Sequence, residues 1–580
     1  MQTITLDINR FLGANLDPYN QQVGEANEII NFRINNSYAV EKRKGYIEKF
    51  SNYGVIRGLW YGKLNNSYHM VYASNGHVWE GNTDLGTLVD NTTTFFVFND
   101  KLYILNGFEF YYWTGTGSIA RVEGYVPKIA ISTPPAGGGT IKERINVLTG
   151  KKRQSFSPDG IAKDFSLTEK NIDSIDYIKV NGALISTGFT TDLVNGKVTF
   201  ATVPTEGVDT IEIAWTKGIG QRDIVTKNLN FNIFGGTNDT RIFLYGNKNV
   251  RIYSELADGV PSAEYFPTTN FTNIGSGQFN ITHIEKQYDR QIIFTERGSY
   301  YSVYENIDSL GVSYPVYPLN DKVGNVAFGQ GQLILNNPYT IYNGVYEWQS
   351  TSIRDERNAV LKSAKVQDEI KTWDLTKVVT YDFEDLAELW ICYNNQIWIY
   401  NYRLNVWYKY ILADVPTCFC TVDNKLYFGT STGRIMEFQN ENINEDGSIN
   451  YKARSDNGTI INCKLVLGFL DFGVSDLKKF LMFGHLTIKA EARAGINFIW
   501  ESDQDIEDVA LLFEYNFMNF NDINFNNFTF NASKNPQPFR VSIKAKNFSN
   551  IKFVLENNSL NQTVTITRFK LPAIIGGSVK

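Results

Sequence analysis

Seven times along the chain a short apolar strand runs into an Asn- or Gly-bearing turn and continues as a second strand rich in aromatics. The copies are SYHMVYASNGHVWEGN (67–82), DKLYILNGFEFYYWTG (100–115), TRIFLYGNKNVRIYSE (240–255), RQIIFTERGSYYSVYE (290–305), GQLILNNPYTIYNGVYEW (331–348), ELWICYNNQIWIYNYRLNVWYKY (388–410) and NKLYFGTSTGRIMEF (424–438). Asn and Gly supply the positive φ that tight hairpins need, and β-branched and aromatic flanks favour strands. A lone hairpin cannot bury a face, so the copies must pack on one another. Short antiparallel units recurring every few tens of residues predict an all-β chain built as an irregular β-propeller of about six blades. The spacing is uneven and no WD or kelch signature occurs, so a stacked sandwich is the alternative.

The interval between Gly107 and Asn247 is far longer than the others and holds a separate module. It opens with the Pro/Gly linker STPPAGGGT (132–140). Residues 153–218 then read as several strands with turns at Pro158-Asp159-Gly160, Asn181-Gly182 and Asn195-Gly196, a small inserted β-sandwich. At roughly 150 residues per domain, 580 residues exceed one core. The expected order is an N-terminal arm with the first strands (1–50), propeller blades (51–131), the insert (132–220), more blades (221–457) and a C-terminal β domain (458–580). One helix is expected at 352–373, where Val360, Ala364, Val366 and Ile370 fall roughly on one stripe and Ser352 can cap it. After Gly458 the strands lengthen, at 461–503, 539–559 and 562–571. The Asn/Phe alternation NFNDINFNNFTFN (519–531) is an aggregation hazard if exposed and tolerable if clamped by neighbouring subunits.

Composition narrows the function classes. Lys and Arg number 55 and Asp and Glu 61, giving 55 − 61 = −6, which argues against a sheath of basic surface on nucleic acid. A channel that passes nucleic acid without holding it remains compatible. Four cysteines, Cys392, Cys418, Cys420 and Cys463, are too few for a disulfide scaffold. Cys418 and Cys420 share a strand face, where buried small apolar packing competes with a weak metal reading. The opening residues lack an apolar h-region and no run approaches the ~20 apolar residues of a membrane span, so neither signal peptide nor membrane insertion is expected.

A search for chemistry finds fragments. Phosphate-loop, zinc-protease and dinucleotide fingerprints are missing, and the four histidines, His69, His77, His283 and His485, are scattered. Gly429-Thr430-Ser431-Thr432-Gly433 matches the nucleophile-elbow pattern, but strand-like flanks make it a hairpin turn. Asp382, Glu384, Asp385 and Glu388 crowd one loop, either the acid pair of a glycosidase or a solvated turn. Asn442, Asn444 and Asp446-Gly447 resemble half a Ca²⁺ loop, but Ala453 stands where the twelfth-position acid belongs. Lys42-Arg43-Lys44 is a tight basic triplet, either a phosphate contact or a charged turn between strands. No catalytic, cofactor-binding or metal residue is assigned, and no cofactor or enzymatic activity is expected.

With these residues in view, the chain resembles the β-propeller tail proteins of tailed bacteriophages: tail nozzle or tail tubular proteins, and head–tail connector or packaged-DNA stabilisation proteins. The resemblance rests on FLGANLDPYN (11–20), EANEIINFRIN (25–35) and VEKRKGYIEKF (40–50) at the start. It continues in ADGVPSAEYFP (257–267) with NIGSG (273–277), IYNYRLNVWYKY (399–410), VDNKLYFGTSTGRIMEF (422–438) and KKFLMFGHLTIKAEA (478–492). What it implies is a virion protein of the tail, assembled in the host cytoplasm into a homo-oligomeric ring, often six-fold. Its neighbours would be portal, connector or tail proteins, and genome DNA would pass through without specific binding. Two other functions fit the residues: recognition of host glycans by exposed aromatics and the insert, and glycoside hydrolysis at 382–388.

Overall fold

The computed structural model describes residues 2–18, 20–52, 54–236, 238–307, 312–350, 358–445, 448–489, 491, 493–503, 506–515 and 535–578. Strands dominate throughout, and the protein is all-β. The chain divides into two compact units, one of Met1–Tyr61, Gln330–Ser350 and Arg357–Lys580, the other of Gly62–Gly329 and Thr351–Glu356.

The second unit carries four four-stranded antiparallel sheets. Their strands are, in chain order, Ile56–Leu64 (within which the unit boundary falls), Ser67–Ser74, His77–Glu80 and Thr83–Thr87; Thr94–Phe98, Lys101–Leu105, Phe110–Trp113 and Ala120–Arg121; Asn230–Phe234, Arg241–Asn247, Val250–Tyr253 and Phe271–Asn273; and Ile281–Gln287, Arg290–Thr295, Ser299–Val303 and Val316–Asn320. Neighbouring sheets pack face to face through alternate residues. Phe96, Tyr103 and Leu105 meet Ile242, Leu244 and Ile252 in one core, and Tyr245 and Ile274 meet Ile284 and Ile293 in the next. Between the second and third sheets lies the insert, with a six-stranded and a three-stranded sheet over a core that includes Phe156, Phe165, Ile178, Val198 and Trp215.

The first unit holds three more such four-stranded arrangements. One is Gln332–Ile334, Asn337–Ile341, Val345–Trp348 and Ala359–Leu361. The next is Val379–Phe383, Glu388–Tyr393, Gln396–Asn401 and Val406–Ile411. In the third, Pro416–Val422, Lys425–Thr430 and Arg434–Phe438 are completed by the N-terminal strand Tyr46–Ser51, with Phe438 opposite Tyr46. The middle one continues through Glu25–Ile30 into Cys463–Leu470, Ile551–Asn557, Ala494–Ser502 and Ile506–Tyr515, and with Gly13–Ala14 paired to Glu25–Ile30 it has ten strands in all. A further six-stranded sheet joins Thr3–Ile8, Phe32–Ile34 and Val40–Lys42 to Leu477–Ile488, Gln537–Phe548 and Thr565–Ser578. The first forty residues and the last hundred therefore share sheets.

All seven sequence hairpins form, and among the described residues they supply the central strands of seven four-stranded arrangements. Their turns explain the Asn content: Asn75-Gly76 has φ of 52° and 74°, and Asp423-Asn424 has 46° and 61°. Two successive positive φ values make the type I′ turn whose twist matches a hairpin. The helix expected at 352–373 is a correction. Ala359–Leu361 is instead the outer strand of its sheet, opposite Trp348–Tyr346, followed by a short 3₁₀ turn (Ala364–Val366) and a single helical turn (Gln367–Ile370). Strand pairing overrides a stripe that had only four loosely spaced members. Ser352 and the 519–531 tract lie outside the described residues.

Candidate functional site

The acidic loop is a hairpin connection in the first unit. Asp382 is the penultimate residue of the strand Val379–Phe383, Glu384 and Asp385 sit in a 3₁₀ turn, and Ala387 at φ 55° reverses the chain into Glu388–Tyr393. Its four carboxylates have separate fates. Glu384 and Asp385 are exposed, as a solvated turn would have them. Glu388 is 1% exposed. Its Oε1 accepts from the Tyr408 hydroxyl (2.6 Å) and lies 3.3 Å from Arg33 Nη2; its Oε2 accepts from Trp390 Nε1 (3.0 Å). Burial, then Glu388, pushes the Tyr408 hydroxyl well above its ordinary value, so it remains a donor. Among the described residues, Asp382 has no cationic partner. Burial pushes its carboxyl up to about 6, with Tyr402 opposing and Glu384 adding to the rise.

A retaining or inverting glycosidase needs two carboxylates that both reach the substrate. Here Glu388 is closed in by three donors, and the loop brings no second buried carboxylate onto it. Among the described residues, no group of three or more His, Cys, Asp or Glu is placed to hold a metal. Cys418 and Cys420 both lie on Pro416–Val422 as free thiols, with burial pushing Cys418 up to about 11. Gly429–Gly433 is the turn between Lys425–Thr430 and Arg434–Phe438, as its flanks require. His69 and His77 each face an acid of their own sheet, Glu80 and Asp84.

The basic triplet is neither a phosphate contact nor a simple charged turn. Lys42 and Arg43 are each 2% exposed. Lys42 Nζ donates to Asn557 Oδ1 (2.7 Å). Arg43 uses all five N–H groups: Nε to Asn31 Oδ1 (2.8 Å), Nη1 to Asp456 Oδ1 (2.7 Å) and the Lys44 carbonyl (3.1 Å), Nη2 to Asp456 Oδ2 (2.5 Å) and the Ile411 carbonyl (3.1 Å). A planar fork engaged on every side is a clamp, not a surface for DNA.

Lys44 differs from both. It is half-buried and lines a cavity of about 410 Å³ together with Arg33, Glu388 and the aromatic side chains of Phe383, Trp390, Tyr410 and Phe438. Asp385 and Glu441, both exposed, line the same space. Sequence reasoning passed over this constellation, because its members come from four separate stretches. One signal was available: an acid opening the apolar run ELWICY has to be paired if that run is a buried strand.

No family model matches the chain, and no curated protein sequence matches it. Among solved structures it is similar to the computationally designed Ika8 protein at 9% identity and TM-score 0.31, covering 68% of this chain and all of that one. BamB from Moraxella catarrhalis gives 10% identity and TM-score 0.30, covering 68% of this chain and 100% of its own. Virginiamycin B lyase from Staphylococcus aureus gives 10% and 0.30, covering 68% and 98%. At these scores the likeness assigns neither family nor activity.

Proposed function

We propose that this chain is a structural subunit of a bacteriophage tail, at the nozzle or the head–tail connector. In this reading its seven four-stranded arrangements are the blades of a β-propeller, and copies of the chain form a ring around the passage for genome DNA. The observation that carries it is the use made of the polar residues that looked like chemistry. Arg43 ties the N-terminal segment to Asp456, 413 residues further on, and Lys42 ties it to Asn557, 515 further on. Side chains spent on joining distant segments suit a frame that must hold its shape under load, and Lys42 and Arg43 are not left free to retain DNA. A net charge of −6 works in the same direction, because each Lys or Arg contact to phosphate adds affinity and drag. The insert does not favour glycan recognition: its exposed large apolar residues, among them Ile161, Leu184, Val194, Val208 and Ile219, are aliphatic and offer no ring for a sugar to stack on.

The test is assembly. Native mass spectrometry and negative-stain images of the purified full chain are expected to give a closed ring of identical subunits, and antibodies to the chain should label the tail of the particle. A stable monomer that stays outside particles overturns the reading.

A further inference from the structure

The cavity beside Lys44 has no part in that architecture, and its chemistry points to a ligand. Arg43 has every donor engaged and Lys42 is bonded, whereas no hydrogen bond or carboxylate within 4.0 Å serves Lys44 Nζ among the described residues. The second cation in the cavity, Arg33, is shared between Glu41 (3.5 Å) and Glu388 (3.3 Å), and its buried Nε has no partner. Burial pulls the Lys44 amine below its ordinary value, while Glu41, Glu491 and Glu441 act on it from beyond contact range. A cation taken out of water without a counter-charge is costly, and an anion arriving beside it recovers that cost. One part of the wall is aromatic, with Trp390, Tyr410 and Phe438 packed edge to face, and Asn424, Gln439 and Asn440 line the space beside the charged residues. About 410 Å³ is within the range of small-molecule sites.

We propose that this cavity binds a small organic anion, a carboxylate or phosphomonoester on a flat apolar body, with Lys44 holding the oxyanion and the aromatic side chains holding the body. The exposed acids Asp385 and Glu441 repel a polyanion, so nucleic acid is not the ligand.

The experiment uses the full chain and follows tryptophan fluorescence, with calorimetry, on addition of benzoate, phenyl phosphate and the neutral analogue benzamide. Saturable binding of at least one anion is expected, with benzamide much weaker. The preferred anion identifies the head group. Lys44→Met should weaken that binding by about tenfold or more, the loss expected for one charge-assisted hydrogen bond, and Lys44→Arg should retain most of it. Glu441→Gln should tighten it. Should Lys44→Met fail to fold, the benzoate–benzamide pair and Glu441→Gln decide on their own. Absence of saturation with both anions, benzamide equal to benzoate, or an unchanged Lys44→Met overturns the proposal.

Discussion

Two arginines, one in each unit, are removed from water almost completely, Arg43 at 2% exposure and Arg251 at 0%, and they are held in opposite ways. Arg43 faces a carboxylate. Burial works against its charge, but Asp456 outweighs that and holds the guanidinium above its ordinary value. Among the described residues Arg251 has only neutral acceptors, Gln291 Oε1, Ser302 Oγ (2.8 Å) and the Tyr314 carbonyl (3.0 Å), with Phe243 5.0 Å from the guanidinium and no partner for Nε. Burial pulls it down to about 9. The difference lies in what each arginine joins. Arg43 closes a 413-residue loop, and a full ion pair with five donors used fixes that closure in one register. Arg251 bridges sheets that are already successive in the chain, where apolar packing of the flanking strands sets the geometry.

That contrast breaks most directly at Arg43. Arg43→Met leaves Asp456 buried without a counter-charge, a loss of about 3–5 kcal/mol for a broken buried pair. Thermal and urea unfolding of the full chain should show it as an early transition of the unit that holds both termini. The double variant Arg43→Met/Asp456→Leu should recover a large part, since it removes both charges together. A double variant as damaged as the single one would mean that the hydrogen bonds to Asn31 and the Ile411 carbonyl, not the ion pair, hold the closure.

Arg251→Met is expected to cost less, about 1–2 kcal/mol. It strands three acceptors, each a partial loss, but also removes a buried cation that has no opposite charge. The same unfolding experiments compare the two substitutions directly. Equal losses at Arg43 and Arg251 would erase the distinction between them.

The same contrast explains what could be read from the sequence. The hairpins were legible because their turns are local: Asn75-Gly76 and Asn181-Gly182 carry their conformation in two adjacent residues. The insert was legible for the same reason. The 352–373 segment was misread because the strand Ala359–Leu361 is chosen by a partner, Val345–Trp348, that no local pattern names. The basic triplet was misread because Asn557, which accepts from Lys42, and Asp456, the counter-charge of Arg43, lie more than 400 residues away. Asp382 and Glu388 stood in the acidic loop as candidates, but their divergence, one unpaired and one closed in by three donors, depends on Arg33, Trp390 and Tyr408, which periodicity does not bring together.

Glu437 extends the matched style of the first unit to acid pH. The Tyr427 hydroxyl (2.6 Å), Lys425 (3.0 Å) and Lys49 (3.2 Å) surround it. Burial opposes its charge, but these partners outweigh it and hold its carboxyl at about 2 against the usual 4.5. A carboxylate depressed on folding stabilises fully above its unfolded value, and that contribution fades as pH falls from about 4.5 towards 2. Glu437→Gln should therefore flatten the acid limb of the stability profile below pH ~5, with its main cost at neutral pH.

Asp382 sharpens the comparison from the other side, because it places in the first unit a half-buried counterpart of Arg251: an ionisable group with no opposite charge among the described residues. Its folded value of about 6 lies above the ordinary 3.8, so between those limits the native state holds more protons than the unfolded chain. Stability must then fall as pH rises through that window; the favourable contribution is complete below about 3.8 and gone above about 6. Glu437 has the reverse slope, and the two acids oppose each other within one unit. Asp382→Asn keeps the shape and removes the charge, so it should raise Tm at pH 7 by roughly 1–2 °C and leave pH 4 nearly unchanged. Thermal scans across pH 4–7 check it. A variant that loses stability at pH 7 would show that the Asp382 carboxylate has a cation to serve after all, and the unmatched style would then belong to Arg251 alone.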